Sequence, residues 1–211
     1  MIELDIFSDT VCPWCYIGKK RLEKAINNHK NLEFKQTWRP FQLNPGMPPD
    51  GMDRQEYLIS KFGSADAAKT IYDNIYDEGL LEGINFNFDS IQTTPNSFNS
   101  HRLLALAYKQ GIQENVLDSL FESYFLNGED IGDPNILLNI AIKHQIDDED
   151  FKTYLSDQEN IEPLANEELE ARKMGINSVP TFIVNKQIVI NGAQTSENFD
   201  IIFKKLTSNI N

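Results

Sequence analysis

Apolar and polar positions change their spacing several times along the chain, and each change marks an element. From Ile2 to Phe7 apolar and β-favouring residues alternate until Ser8-Asp9-Thr10 interrupts them, which predicts a strand and its exit loop. From Pro13 to about Asn28 the apolar residues Trp14, Ile17, Leu22, Ala25 and Ile26 return at helical spacing. Pro13 suits the first helical position, where a missing N–H is no loss, so Cys12 falls at the N-cap. Leu32 to Leu43 reads as extended and stops at Asn44-Pro45-Gly46 and Pro48-Pro49. The spacing near 53–62, 65–80, 97–110, 114–126, 134–144 and 147–156 predicts a run of helices, because a connection this long does not stay structureless in a compact protein. A further helix over about 161–174 meets Gly175, a residue suited to the left-handed stop. The β-rich runs Val179 to Val184 and Ile188 to Ile190 flank Asn185-Lys186-Gln187 as a hairpin, and a helix from about Ser196 to Leu206 follows.

Strand, helix, strand, helical run, helix, hairpin and helix make an α/β order in which the first and last portions share one sheet. The expected organisation is a discontinuous domain of residues 1–51 and 161–211, with 52–160 inserted as an all-helical subdomain over one end of the sheet. No repeat or low-complexity segment interrupts it.

Composition adds exclusions. A chain of 211 residues that is 40% hydrophobic and 24% charged fits a soluble globular protein. Nineteen basic against thirty-two acidic residues give a net charge of -13, which repels nucleic-acid backbones and anionic lipid, so neither is expected as a partner. No stretch approaches the roughly 20 apolar residues of a membrane span. Met1-Ile2-Glu3-Leu4-Asp5 carries acids where a signal peptide needs bases, and with Met1 in first place a cytoplasmic location is the expectation. Nothing in the sequence fixes the oligomeric state.

The candidate chemistry is the tetrapeptide Cys12-Pro13-Trp14-Cys15, which holds both cysteines of the chain. Closing so short a loop restricts the unfolded chain by only about 2 kcal/mol, so the pair is a poor staple. Two sulfurs one helical turn apart make a good redox couple, since their bond forms and breaks without moving the rest of a fold. Cys12 at a helix N-terminus faces unsatisfied N–H groups and the positive end of the dipole, which favour thiolate and mark it as the attacking sulfur. Cys15, one turn inside, is placed to resolve a mixed disulfide. Pro13 and Trp14 have no thiol chemistry and set how the turn is held and how the nearby surface meets a partner. The competing reading is a zinc site, which needs two more ligands. The remaining candidates His29, His101 and His144 are scattered without paired spacing, so no metal is expected.

The segment Ser8-Asp9-Thr10-Val11-Cys12-Pro13-Trp14-Cys15-Tyr16-Ile17-Gly18 resembles the opening of the DsbA-like family, in its FrnE-like branch. Arg39-Pro40-Phe41-Gln42-Leu43-Asn44-Pro45, Ser178-Val179-Pro180-Thr181-Phe182 and Asn191-Gly192-Ala193-Gln194 match the same branch in order, so the resemblance spans nearly the whole chain. It implies a thioredoxin-like fold with a large helical insertion, and disulfide exchange or isomerisation on protein or small-molecule thiols and disulfides. No organic cofactor is implied, and glutathione is an admissible thiol partner. It also implies a cis Val179-Pro180 opposite the dithiol, removing one N–H donor beside the sulfurs and leaving Val179 to pair with an extended substrate by strand addition. A trans proline opening an edge strand is the alternative. A buried acid beneath the dithiol is common in thioredoxin-like proteins, offset by about one position from Asp5. Asp5 is therefore either the proton acceptor for Cys15 or a solvated strand aspartate. Asp9 reads as a loop or capping residue. Asn96-Ser97-Phe98-Asn99-Ser100-His101-Arg102 is similar to segments bordering the active site in related isomerases and kappa-class glutathione transferases. His101 is accordingly a candidate for proton transfer, or a histidine satisfied within the core.

Three functions compete. The first is a thiol-disulfide oxidoreductase or disulfide isomerase. A DsbA-type couple near about -120 mV, against a cytosol near about -280 mV, would favour the dithiol by roughly five decades, so reduction or isomerisation is expected there over net oxidation. The second is a glutathione-dependent transferase or small-molecule isomerase on the same fold, where the resemblance implies serine at the place of Cys12. The third is an adaptor that binds a partner without catalysis.

Overall fold

Strand β1 (Ile2–Ser8) is an inner strand of the sheet, with Ile2, Leu4 and Ile6 on one face and Glu3, Asp5 and Phe7 on the other. Ile2, Leu4 and Ile6 join the main core, while Phe7 joins a smaller cluster with Phe41, Ala171 and Ile176 on the other face. In the computed structural model, which describes residues 1–208, β1 is followed by α1 (Pro13–Asn28) and β2 (Phe34–Pro40). A two-residue strand β3 (Met52–Asp53) leads into α2 (Arg54–Phe62) and α3 (Ala65–Leu81), and a second short strand, β4 (Thr93–Thr94), precedes α4 (Phe98–Lys109). Then come α5 (Gln113–Phe125), α6 (Pro134–Lys143), α7 (Asp148–Ser156) and α8 (Ile161–Lys173). Strands β5 (Thr181–Val184) and β6 (Ile188–Asn191) and helix α9 (Ser196–Ser208) complete the described chain.

The four long strands form one sheet in the order β2-β1-β5-β6. β1 runs parallel to β2, with Ile2 opposite Phe34 and Ser8 opposite Pro40, and antiparallel to β5, with Leu4 opposite Val184 and Phe7 opposite Thr181. First and last portions of the chain thus share the sheet, as the element order requires. This is the thioredoxin-like α/β arrangement with a helical insertion. The insertion has one addition to the expected helices: Met52 pairs with Thr94 and Asp53 with Thr93. Two residues are too few to show a period. Gly51 allows the pairing, since its φ of 75° suits glycine and a Cβ there would lie 2.7 Å from the Thr94 carbonyl oxygen.

The edge strand β2 is covered from the insertion. The Gln113 side chain accepts from the Trp38 N–H and donates to the Trp38 carbonyl, both at 2.9 Å, so it stands in for a neighbouring strand. Tyr16 of α1 stacks on Phe121 at 4.9 Å between ring centroids, and Phe86 packs edge-on against Phe125 at 5.4 Å. The main hydrophobic cluster therefore runs without a break from the sheet through α1 into α4 and α5. Ion pairs reinforce this seam: buried Lys19 meets Asp118 at 2.8 Å, and Arg21 meets Glu82 at 2.7 Å and also Glu78. Among the described residues no helix is long and apolar enough to cross a membrane.

Candidate active site

The dithiol lies where β1 turns into α1. Cys12 is the N-cap, with extended backbone (φ -97°, ψ 113°), and Pro13 occupies the first turn. The Cys12 N–H donates to the Asp9 carbonyl at 3.1 Å, and the Cys12 carbonyl accepts from the Cys15 N–H at 3.0 Å. The Cys12 side chain makes no capping hydrogen bond, so its sulfur is left for a partner. Both thiols are unbonded, Cys12 only 4% exposed and Cys15 fully buried, while Val11 and Trp14 beside them are half-buried.

Val179-Pro180 approaches the sulfurs from the other end of the chain, on the segment leading into β5. Its peptide bond is cis. The Cys12 thiol points at the Val179 carbonyl with Sγ···O of 3.8 Å. Pro180 is buried and Val179 half-buried, outside the strand ladder. The close approach depends on Gly18 in α1: a Cβ there would stand 3.0 Å from Pro180 Cγ and 3.3 Å from Phe182 Cζ.

Burial acts strongly on the inner sulfur. Burial pushes the Cys15 thiol well above its ordinary range, and the neighbouring Cys12 adds to the effect. The Ser8 hydroxyl, close by but outside ordinary hydrogen-bond geometry, and the Asp9 backbone amide pull only partly against it. The inner sulfur consequently rests as a thiol. It must shed a proton before it can attack.

Asp9 is the residue that sequence reasoning undervalued. Its carboxylate is fully buried, accepts from the Leu43 N–H at 2.7 Å and, more loosely, from the Val11 N–H at 3.4 Å, and lies 3.4 Å from His101 Nε2. It caps a loop, as expected, but the loop is the one that carries Cys12, and the cap joins it to the segment after β2. The available signal was an acid three residues before a helix-opening cysteine, at the end of a buried strand. His101, at the start of α4, is buried beside this loop, and its neighbour Ser100 shares a 2.7 Å hydrogen bond with Thr10. It also lines a cavity of about 370 Å³ together with Trp38.

Of the two readings of Asp5, the geometry fits the partly exposed strand aspartate and not the proton acceptor for Cys15. Its neighbours Leu4 and Ile6 point toward the main core with the two cysteines, so the period of two turns Asp5 to the opposite face. There its carboxylate binds Arg39 Nε at 2.8 Å and Nη2 at 2.7 Å, and Arg39 continues to Glu167 of α8 at 2.8 Å. The one-position offset from the acid common in thioredoxin-like proteins is enough to remove it from the dithiol. The three histidines are as scattered in space as in sequence: His29 meets Asp200 and His144 meets Ser119. Among the described residues no three His, Cys, Asp or Glu side chains are grouped to hold a metal.

With this geometry in place, residues 3–203 match the family model of the DSBA-like thioredoxin domain. The chain belongs to the DSBA-like family. Members of this family are thiol-disulfide oxidoreductases. The chain is 27% identical over 208 residues to the Bacillus subtilis protein YwbO, covering 94% of each. It superposes with a TM-score of 0.87 on a probable DsbA oxidoreductase from Streptomyces coelicolor, at 28% identity, covering 97% of this chain and 89% of that one. The cytosolic disulfide reductase DsbM from Pseudomonas aeruginosa, solved with GSH, shares the fold with a TM-score of 0.69 and 15% identity, covering 98% of this chain and 99% of that one.

Proposed function

We propose that this DSBA-like protein is a cytoplasmic thiol-disulfide oxidoreductase acting as a reductase or isomerase. The observation that carries the reading is the unequal dithiol: Cys12 at the helix opening against Val179, and Cys15 sealed beneath it as a thiol. The Cys12 thiolate attacks one sulfur of a substrate disulfide, forming the Cys12–substrate bond and releasing the other substrate sulfur as thiolate. Cys15 then gives up its proton and attacks Cys12 Sγ, so that the intramolecular disulfide forms as the substrate leaves reduced. A reducing thiol such as glutathione restores the pair. An isomerase cycle uses the first step and returns the substrate thiolate to a different disulfide.

Val179 supports the first step by offering backbone beside the sulfur to an extended substrate. The half-buried Trp14 forms the adjoining rim, and the buried Pro13 holds the turn beneath it. His101, buried beside the loop that carries Cys12 and 3.4 Å from the Asp9 carboxylate, is our candidate for uptake of the Cys15 proton. Asp5 is assigned a structural role. We carry the division into residues 1–51 with 161–211, and 52–160 as cover, and the FrnE-like branch of the family, as part of this proposal. Insulin reduction and reactivation of scrambled ribonuclease should both fall to background in Cys12→Ser. Undiminished activity in that variant refutes the proposal.

A further inference from the structure

The insertion holds a cleft of about 620 Å³ between α2, α3 and the segment before β4, a volume in the range of small-ligand sites. One of its lining residues is Arg54, which is 5% exposed. Its guanidinium donates from Nη1 to Thr94 Oγ1 at 3.2 Å and lies 4.8 Å from the centroid of the Tyr72 ring and 5.8 Å from that of Tyr57. Among the described residues it makes no carboxylate ion pair, and its main electrostatic partners are Tyr124, Tyr72 and Tyr57. A buried cation ordinarily needs an anion. Here neutral aromatic rings and the hydroxyls of Thr94 and Tyr72 stand in that place, with the fully buried Tyr124 hydroxyl close by.

The remaining walls narrow the ligand. Tyr72, Tyr76, Phe86 and Phe88 supply an apolar aromatic lining. Four aspartates also reach the cleft, and two are already engaged: Asp53 caps α2, and Asp73 pairs with Lys69. Asp66 and Asp89, both exposed, make no ion pair within 4 Å among the described residues, although Lys69 attracts Asp89 at longer range. A simple anion would be drawn to Arg54 and repelled by these two. A molecule with a carboxylate at one end, an ammonium group at the other and an apolar body between them meets all three features.

We propose that this cleft is a binding site for a small zwitterion of amino-acid to short-peptide size with an apolar or aromatic side chain. Its carboxylate pairs with Arg54, its ammonium group with Asp66 and Asp89, and its side chain with the aromatic wall. The site does not depend on the dithiol reading.

The test is calorimetric titration of the reduced protein with three probes: glycyl-phenylalanine, the same dipeptide with its carboxylate converted to an amide, and the same dipeptide acetylated at its amine. The parent should bind saturably. The amide should bind at least about tenfold more weakly, because it loses a charge-assisted bidentate pair, and the acetylated form should weaken by a smaller factor. Arg54→Lys keeps the charge without the planar fork and should weaken the parent severalfold. Cys12→Ser should bind the parent as the unaltered protein does. No saturable binding of the parent at millimolar concentration, or equal binding of parent and amide, overturns the proposal. Both outcomes are read on the unaltered protein and do not depend on how a variant folds.

Discussion

Replacing Gly18 with alanine sets two known effects against each other at one atom. In the middle of α1 the added methyl gains helix propensity of about 1 kcal/mol. It also stands 3.0 Å from Pro180 Cγ and 3.3 Å from Phe182 Cζ, with Ala193 Cα at 3.5 Å. Carbon atoms prefer about 3.5–4.0 Å, so Pro180 must retreat by about 0.5 Å or more. It has little room: its carbonyl accepts from the Gly192 N–H at 2.8 Å, and Phe182 is fully buried. Overpacking of this kind costs about 1–3 kcal/mol, so a net loss of about 1 kcal/mol is expected, or a Tm lower by about 2–4 °C in a chain of this size. The Val179 carbonyl moves with Pro180, and insulin reduction should fall by about tenfold, because displacements of this order are felt strongly in a reacting geometry. Urea titration with an unchanged slope, alongside the insulin assay, measures both. A variant that gains stability and keeps full activity would show that Pro180 is not held against α1, and the reasoning would fail.

Asp9→Ala leaves the Leu43 and Val11 N–H groups without their acceptor and should cost about 2–4 kcal/mol, while Asp9→Asn, which keeps a side-chain oxygen, should recover much of it; thermal melts compare the two. For Cys15, whose folded pKa is raised above the thiol's ordinary value of 9.0, the contribution to stability is complete below that value and is lost as pH climbs through the raised one. Reduced protein should therefore lose urea stability relative to Cys15→Ala as pH rises above about 9, and parallel curves for the two would refute the burial argument. Gly79→Ala places a Cβ 2.4 Å from Phe86 Cε2, so it should displace that ring and lower the Tm, as a melting curve would show.

The elements were legible because their signals are local. Alternation in Ile2 to Phe7, helical spacing after Pro13 and the turn at Asn185-Lys186-Gln187 each depend on a few neighbouring residues. The dithiol was legible for the same reason. Asp5 was not, because its face depends on which side of β1 meets α1, and a one-residue offset reverses that. Asp9 and Gly18 drew their importance from Leu43 and Pro180, far away in the chain, where no period of two or 3.6 could point to them. The two-residue pairing of β3 with β4 was too short to have a pattern.

The aromatic seam between Tyr16, Phe121, Phe125 and Phe86 bears on how this architecture can be engineered. The helical segment is not a cassette that can be cut out to leave a minimal oxidoreductase. Joining residue 51 to residue 161 by a short linker would leave the outer face of α1 bare, with Tyr16 deprived of its stacking partners, Arg21 of both its acids, and Lys19 of Asp118, leaving it only Glu23 of its own helix. The same continuity makes a chimera feasible on one condition. A helical segment from another member should transplant only if it brings aromatic residues at the places of Phe86, Phe121 and Phe125, and acids at the places of Glu82 and Asp118.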